Sequence, residues 1–425
     1  MAFAGAGETT LSPTTRVLIG LVLGASGGLV LAAWSPAVAV QVADAVQPLG
    51  RLWLNALQMT VVPLVFALVV VGVNTASDAA ASGRIARRAI VAFILILTGG
   101  ALFAAAAAPR LFALFPHSPS LTTALESAVA THAPAATGAV GWAEWFNGIV
   151  PSNAINAAAQ SAMLPLVVFA LFFGFGLTRI AAERRTLVVS FFQAIADTMI
   201  VIVRWVLWVA PLGVFALILA VCARAGVHML SALGIYVLVE CILYLCLTLL
   251  MLPVAVVWGG ETLRRFVPAL VPAQIVAAST QSSLASLPAM LESAERRLGY
   301  PSQVNALVLP MAVSLFRLTS PVQYVTSACF IAWAYGIDVG IAPLFAAALL
   351  AVVISLGSVG LPGAVSFMAT NLPVAQAMGV PVGPLGLMLA VDALPDALAT
   401  LGNVTADLTA TSVVARQSAR ESETA

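Results

Sequence analysis

Apolar and polar positions alternate along this chain in long blocks. Eight apolar stretches, near residues 17–36, 53–74, 89–108, 162–178, 198–221, 233–258, 303–335 and 383–412, approach or exceed the roughly 20 residues a helix needs to cross a bilayer. The first begins after Arg16 and reaches Trp34, longer than the apolar part of a cleaved leader. The two ends, 1–14 and 417–425, are polar and read as disordered tails. Two further stretches, 266–294 and 343–370, are apolar at both ends and broken in the middle.

The basic residues assign sides. Arg84, Arg87 and Arg88 follow the second stretch, and Arg179, Arg184 and Arg185 follow the fourth. Arg264 and Arg265 follow the sixth, Arg296 and Arg297 precede the seventh, and Arg416 and Arg420 follow the last. The loops 109–150 and 371–385 hold only Arg110 between them. By the positive-inside rule this is an all-α protein of the cytoplasmic membrane, with eight spans and both termini cytoplasmic.

The two broken stretches resist a simple span. The first is flanked by basic pairs, and its centre reads Ser279-Thr280-Gln281-Ser282-Ser283. The second is centred on Gly357-Ser358-Val359-Gly360-Leu361-Pro362-Gly363. Each half is too short to cross, so each stretch predicts a re-entrant hairpin, the first from the inner side and the second from the outer. Non-helical backbone at that depth must be buried in protein or line a cavity. Two opposed hairpins, each followed by a span, make an inverted repeat with a binding site where the tips meet. A kinked helix at either place is the competing reading.

Polar residues inside the spans are the candidate chemistry. Asp392, Asp396, Asn403 and Asp407 are spaced 4, 7 and 4, which places them on one face of a continuous helix. Ala399 and Thr400 lie in or beside that stripe. Carboxylates at membrane depth are costly and mark substrate or ion paths, although Asp392 and Asp407 could also reach water at the helix ends. Arg317 sits in the seventh span, where a permanent cation needs an anionic partner, and Asp396 and Asp407 are on offer. Glu240 in the sixth span is either a proton carrier or a polar contact between helices.

Composition narrows the class. The chain is 61% hydrophobic and 8% charged, with a net charge of +1, which excludes a disordered chain and a basic nucleic-acid binder. The four cysteines, Cys222, Cys241, Cys246 and Cys329, lack metal-site spacing, and no cofactor or metal is expected.

Several motifs resemble the dicarboxylate/amino acid:cation symporter family, the glutamate and aspartate transporters, from about Arg16 to Arg416. They are Gln58-Met-Thr-Val-Val-Pro63, Ile149-Val-Pro151-Ser-Asn153, Ala210-Pro211-Leu-Gly213-Val-Phe215, Gln281-Ser282-Ser283-Leu-Ala-Ser286-Leu-Pro288, Gly357-Ser358-Val-Gly360-Leu-Pro362-Gly363 and Asn403-Val-Thr405-Ala-Asp407. The resemblance implies a homotrimeric elevator carrier. A scaffold would comprise 15–75 and 138–225, and a moving transport domain 86–116 and 228–416. It also implies that Asp396 holds a substrate ammonium and that Asn403, Ser282 and Ser283 hold its carboxylate. Ser320 would lie beside the side chain, with Gly360 and Thr400 completing the site.

Three positions depart from the family pattern. Ala399 stands where an Arg binds a second carboxylate. The Asn-Met-Asp-Gly-Thr motif that supplies sodium ligands reads Phe316-Arg317-Leu318-Thr319-Ser320. In the third span Thr98 keeps one sodium-site hydroxyl, while the neighbouring Ser is Gly99. The expectation is a secondary transporter of a small amino acid, coupled to protons rather than to sodium at the usual sites, or uncoupled. Sodium- or proton-coupled symport of acidic amino acids or dicarboxylates is the alternative. A degenerate or channel-like relative is a further one. An intramembrane hydrolase using a hairpin serine would need a base, and His117, His132 and His228 are predicted on outer loops.

Overall fold

Every regular element among the described residues is a helix, the form that satisfies its own backbone without water. The computed structural model describes residues 13–81, 83–116, 122, 148–225, 227–357, 363–392 and 394–424. In chain order the helices are α1 (Pro13–Trp34), α2 (Pro36–Gln58), α3 (Val61–Ala81), α4 (Arg84–Phe112), α5 (Ala154–Ala159) and α6 (Met163–Leu177). They continue as α7 (Ala182–Trp208), α8 (Ala210–Ala225), α9 (Val227–Val257), α10 (Leu263–Thr280) and α11 (Ser283–Glu292). The last six are α12 (Ser302–Leu315), α13 (Thr319–Tyr335), α14 (Ile341–Gly357), α15 (Gly363–Ala377), α16 (Leu385–Val391) and α17 (Asp396–Thr424).

Among the described residues, six segments are long and apolar enough to cross a membrane: Thr15–Trp34, Pro36–Ala81, Arg84–Phe112, Ala182–Trp208, Met229–Val257 and Ser302–Tyr335. The bent pair α16–α17 makes a seventh. The stretch read as the fourth span is α6, apolar but only 15 residues long.

Both broken stretches fold as pairs of packed helices, α10–α11 and α14–α15, each followed by an interrupted helix. In the first, Gln281 adopts a left-handed φ of 50°, which closes the end of α10. Ser282 then caps α11, its Oγ accepting from the Ala285 N–H at 3.2 Å. The second tip, 358–362 with Gly360, lies outside the described residues.

Four sequence expectations are corrected. The polar stripe is not one helix face: α16 ends at Val391, α17 starts at Asp396, and their axes differ by 81°. Pro395 disfavours helical backbone at the residue before it, so Asp392 belongs to the end of α16. The fifth expected span straddles a break at Val209, two residues before Pro211, and its helix starts at Ala182. The second expected span is the back half of a 46-residue segment. Its front half was hidden by Gln41, Asp44, Gln47, Arg51 and Asn55, which make α2 amphipathic. The C-terminal tail is helical to Thr424 rather than disordered, and Pro13 and Thr14 already belong to α1. Residues 1–12 lie outside the described ones.

The interrupted helices are pinned at one end of the bundle by backbone carbonyls. Arg416 Nη1 donates to Val257 O at 2.9 Å, and Arg265 Nε donates to Arg297 O at 3.2 Å. The Tyr300 hydroxyl donates to Glu261 at 2.9 Å. Burial, and then the Glu261 carboxylate, push that phenol above its ordinary range.

Elsewhere small residues let helices touch. Gly20, Gly24 and Gly28 form a seam on α1 against α8, where an added Cβ would sit 2.4, 2.7 and 2.7 Å from the carbonyl oxygens of Pro211, Phe215 and Leu219. Such spacing is the usual route to close helix packing in a membrane. Gly24→Leu is therefore expected to lower stability by about 1–3 kcal/mol through overpacking. Gly27→Ala, whose Cβ would meet only Leu219 at 3.6 Å, is expected to be near neutral. Thermal unfolding in detergent measures both, and equal effects would remove the seam from the explanation.

Candidate functional site

The site is built on two helix interruptions that face each other. The first lies between α12 and α13, at Phe316-Arg317-Leu318. Phe316 stacks on Phe93 of α4, with ring centroids 4.7 Å apart and planes 10° apart. The side chain of Leu318 reaches the surface of Gly100, where an added Cβ would lie 2.8 Å from its Cδ1. Both apolar residues are about fully buried, at 1% and 0% exposure. Arg317 between them instead lines a polar cleft. Ser355 of α14 donates to the Arg317 carbonyl at 3.4 Å.

Asn403 of α17 ties the two interruptions together. Its Oδ1 accepts from both the Thr319 N–H and the Thr319 hydroxyl, each at 3.0 Å. A backbone N–H can only donate, so these bonds fix which end of the amide is oxygen. The Asn403 NH₂ remains as a donor on the cleft. Ala399 and Asp396 lie one and two turns back on the same face of α17. The Asp396 carboxylate lines the cleft and receives no hydrogen bond among the described residues.

The cleft is narrow, with a cavity volume of about 40 Å³. Its wall joins six residues singled out in the sequence: Arg317, Ser320, Asp392, Asp396, Ala399 and Asn403. Thr400 stands behind it, its hydroxyl donating to Asp396 O at 2.9 Å. Ser282 and Ser283 are half-buried at the first hairpin tip and do not line it. Gly360 lies outside the described residues. Asp407 is fully buried one wall deeper, and neither of its oxygens has a hydrogen-bond partner. Glu240 is fully buried behind Tyr244, whose hydroxyl donates to Glu240 Oε1 at 2.8 Å.

Arg317 lies within electrostatic range of Asp392, Asp396 and Asp407. It makes no ion pair within 4.0 Å among the described residues. Thr98 spends its hydroxyl on its own helix, donating to Ile94 O at 2.7 Å. No group of three or more His, Cys, Asp or Glu arranged for a metal occurs among the described residues. His228 lies in the first turn of α9 rather than on a loop, and His117 and His132 lie outside the described residues.

The cleft also contains residues the sequence left unassigned: Tyr244, Thr319, Gln323, Tyr324 and Phe367. Gln323 donates to Asp392, which orients that carboxylate. The available signal was an amide four residues past Thr319 on the same helix.

Known proteins resemble this chain along nearly all of its length. The family model described as the sodium:dicarboxylate symporter family matches residues 14–417. The chain is 30% identical over 410 residues to the proton/glutamate-aspartate symporter of Escherichia coli (strain K12), covering 94% of this chain and 92% of that protein. It is 28% identical over 436 residues to the neutral amino acid transporter B(0) of Oryctolagus cuniculus, covering 94% and 77%. It is 24% identical over 408 residues to the C4-dicarboxylate transport protein of Bacillus subtilis (strain 168), covering 95% and 93%.

The Asn403 bridge yields a stability test. Asn403→Leu strands the buried Thr319 N–H, a cost of about 1–3 kcal/mol for a group left unpaired, while the Thr319 hydroxyl keeps the Ala399 carbonyl at 3.4 Å. Thr319→Val removes only the hydroxyl and is expected to cost less. Ligand-free thermal unfolding compares them, and a larger loss in Thr319→Val would contradict the bridge.

Proposed function

The chain belongs to the sodium:dicarboxylate symporter family, and from that premise we propose that it carries small neutral amino acids across the cytoplasmic membrane. One observation carries the choice of substrate: an unbonded Asp396 carboxylate and the Asn403 amide share one cleft, with Ala399 between them. Asp396 takes the substrate ammonium. Asn403, with Ser282, Ser283 and Gly360, takes the α-carboxylate through neutral donors. Ser320 and Thr400 border the side chain.

Charge argues for a neutral side chain. Asp392, Asp396 and Asp407 already outnumber Arg317 around the cleft. A second substrate carboxylate would add a further buried anion without its own cation, which is costly. A specific observation favours the rival: Arg317 lines the same cleft without an ion pair. It could receive the second carboxylate of glutamate, aspartate or a C4-dicarboxylate, the substrates named for several relatives.

The architecture proposed with this reading is a homotrimer with eight spans, two opposed hairpins and both ends in the cytoplasm. Residues 15–75 and 138–225 form a fixed scaffold. Residues 86–116 and 228–416 slide past it with the cleft. The crossing of α3 and α14 suits sliding, since Gly72 meets Gly357 with no side chain between; a Cβ on Gly72 would lie 2.7 Å from the Gly357 Cα.

Sodium at the family's usual site is not required in this reading. Phe316 and Leu318 offer no side-chain oxygen there and are packed against α4. A sodium ion about 4 Å from Arg317 would be repelled by roughly 4 kcal/mol at an effective dielectric of 20. The guanidinium acts as a tethered counter-ion to the acids of α16 and α17.

Two tests follow from this reading. Asp396→Asn is expected to weaken amino-acid binding at least tenfold, from about 2–5 kcal/mol for a stranded buried charge. In competition for uptake into proteoliposomes, serine is expected to outcompete glutamate and succinate. Unchanged affinity in the variant, or aspartate far ahead of serine, favours the acidic-substrate reading. Uptake is also expected to persist when choline replaces sodium and to be lost in Arg317→Met. Strict sodium dependence of the unaltered protein contradicts the tethered counter-ion.

A further inference from the structure

Behind the cleft lies a carboxylate that substrate binding does not use. Glu240 is mid-way along α9 and has no solvent exposure. Its Oε1 accepts from the Tyr244 hydroxyl at 2.8 Å, while its buried Oε2 has no hydrogen-bond partner. One turn earlier on α9, the Tyr236 hydroxyl lies 3.1 Å from Ser327 Oγ of α13. The ring of Tyr244 forms part of the cleft wall. Tyr244 therefore touches Glu240 with its hydroxyl and the substrate space with its body.

The charges around Glu240 are all acidic. α9 packs against α17, α13, α4, α8, α10 and α16. On its own helix, Tyr236, Cys241 and Tyr244 are the titratable neighbours. From α16 and α17, Asp392 and Asp396 couple to it electrostatically. The Tyr236 hydroxyl also faces the carboxylate from its own helix, and no coupling to a charged group of α4, α8, α10 or α13 is found among the described residues. Arg317 couples to Asp392, Asp396 and Asp407 but not to Glu240. Four interior carboxylates thus share one guanidinium, and a zwitterionic substrate adds no net charge. Ionised together they leave an excess of negative charge that a membrane interior does not tolerate. The missing positive charge must arrive on the acids themselves.

We propose that Glu240 is a proton-binding site of this carrier, separate from the substrate cleft and linked to it through Tyr244. The proton adds to the unpartnered Oε2 and leaves the Tyr244 bond to Oε1 in place. Glu240 passes between anion and neutral acid, and no other bond changes. Filling the cleft changes the field that Asp396 and Tyr244 present to Glu240, so proton and substrate occupancy are coupled and, by linkage, reciprocally so. The inference rests on the cleft being the substrate site, but not on which substrate enters it.

The test counts protons on substrate addition. Purified protein in weakly buffered detergent solution is mixed with serine in the presence of a pH-indicating dye, across pH 5–9. The unaltered protein is expected to take up or release protons within part of that range. Glu240→Gln is expected to bind serine and exchange none, a reduction of at least tenfold. No exchange by the unaltered protein, or unreduced exchange in Glu240→Gln, overturns the proposal. If Glu240→Gln does not fold or bind, Tyr244→Phe decides. Loss of a donor to a charged acceptor is worth about 1.5–3 kcal/mol, and on the order of one pH unit corresponds to 1.4 kcal/mol. The midpoint of the exchange is then expected to move to higher pH by about one unit, and an unmoved midpoint overturns the site. If serine fails to bind while succinate binds, the neutral-substrate reading fails. The proton count with succinate still judges Glu240.

Discussion

Burying charge in an interior with almost no other charge is the constraint on which the rest of this molecule depends. Asp392, Asp396, Asp407 and Glu240 lie within a bundle whose fully buried core holds no other charged side chain among the described residues, and Arg317 is the cation set among them. Each carboxylate alone would cost several kcal/mol at membrane depth. Such groups persist where they are partnered or where a partner arrives during function. The helix interruptions serve this need. At 316–318 and at 392–395 the backbone opens beside the acids, and Asn403 holds the two openings in register through Thr319. Without that bridge, Asp396 and Arg317 would have no fixed relation.

The break between α12 and α13 separates its side chains by chemistry. Phe316 and Leu318 turn to α4 and close the space with a stacked ring and an aliphatic contact on Gly100. Arg317 turns to the acids. In the proposed reading this arrangement exchanges a mobile cation for a covalently held one, which an ion gradient cannot drive, and Glu240 behind Tyr244 is the separate place proposed for an energising proton.

Much of the fold was legible in the sequence because membrane physics writes it in long words. Apolar runs and Arg-rich loops marked most helices, and the Ser- and Gly-rich centres marked both packed helix pairs. Boundaries failed where polar residues sit on helices. Gln41, Asp44 and Gln47 hid the front of α2, and the polar end of α17 read as a tail. The stripe from Asp392 to Asp407 was a correct list drawn on the wrong geometry. Its spacing assumed a continuous helix, and the 81° bend moves Asp392 to another element. Asp396, Ala399, Asn403, Ser320 and Arg317 nevertheless meet in one cleft. Tyr244 and Gln323 were not legible as site residues. A tyrosine or an amide in an apolar helix reveals its partner only when the facing helix is in place.

The central claim is that a side chain of this protein replaces sodium as the counter-charge at the cleft. Equilibrium binding tests it most directly, because a coupled ion changes affinity by linkage whatever the transport rate. Serine affinity of the purified protein is measured at fixed pH and ionic strength while sodium is exchanged for choline over three decades. Compensation by Arg317 predicts a dissociation constant that does not change with sodium. A constant that falls in proportion to sodium concentration, about tenfold per decade for one coupled ion, would contradict it.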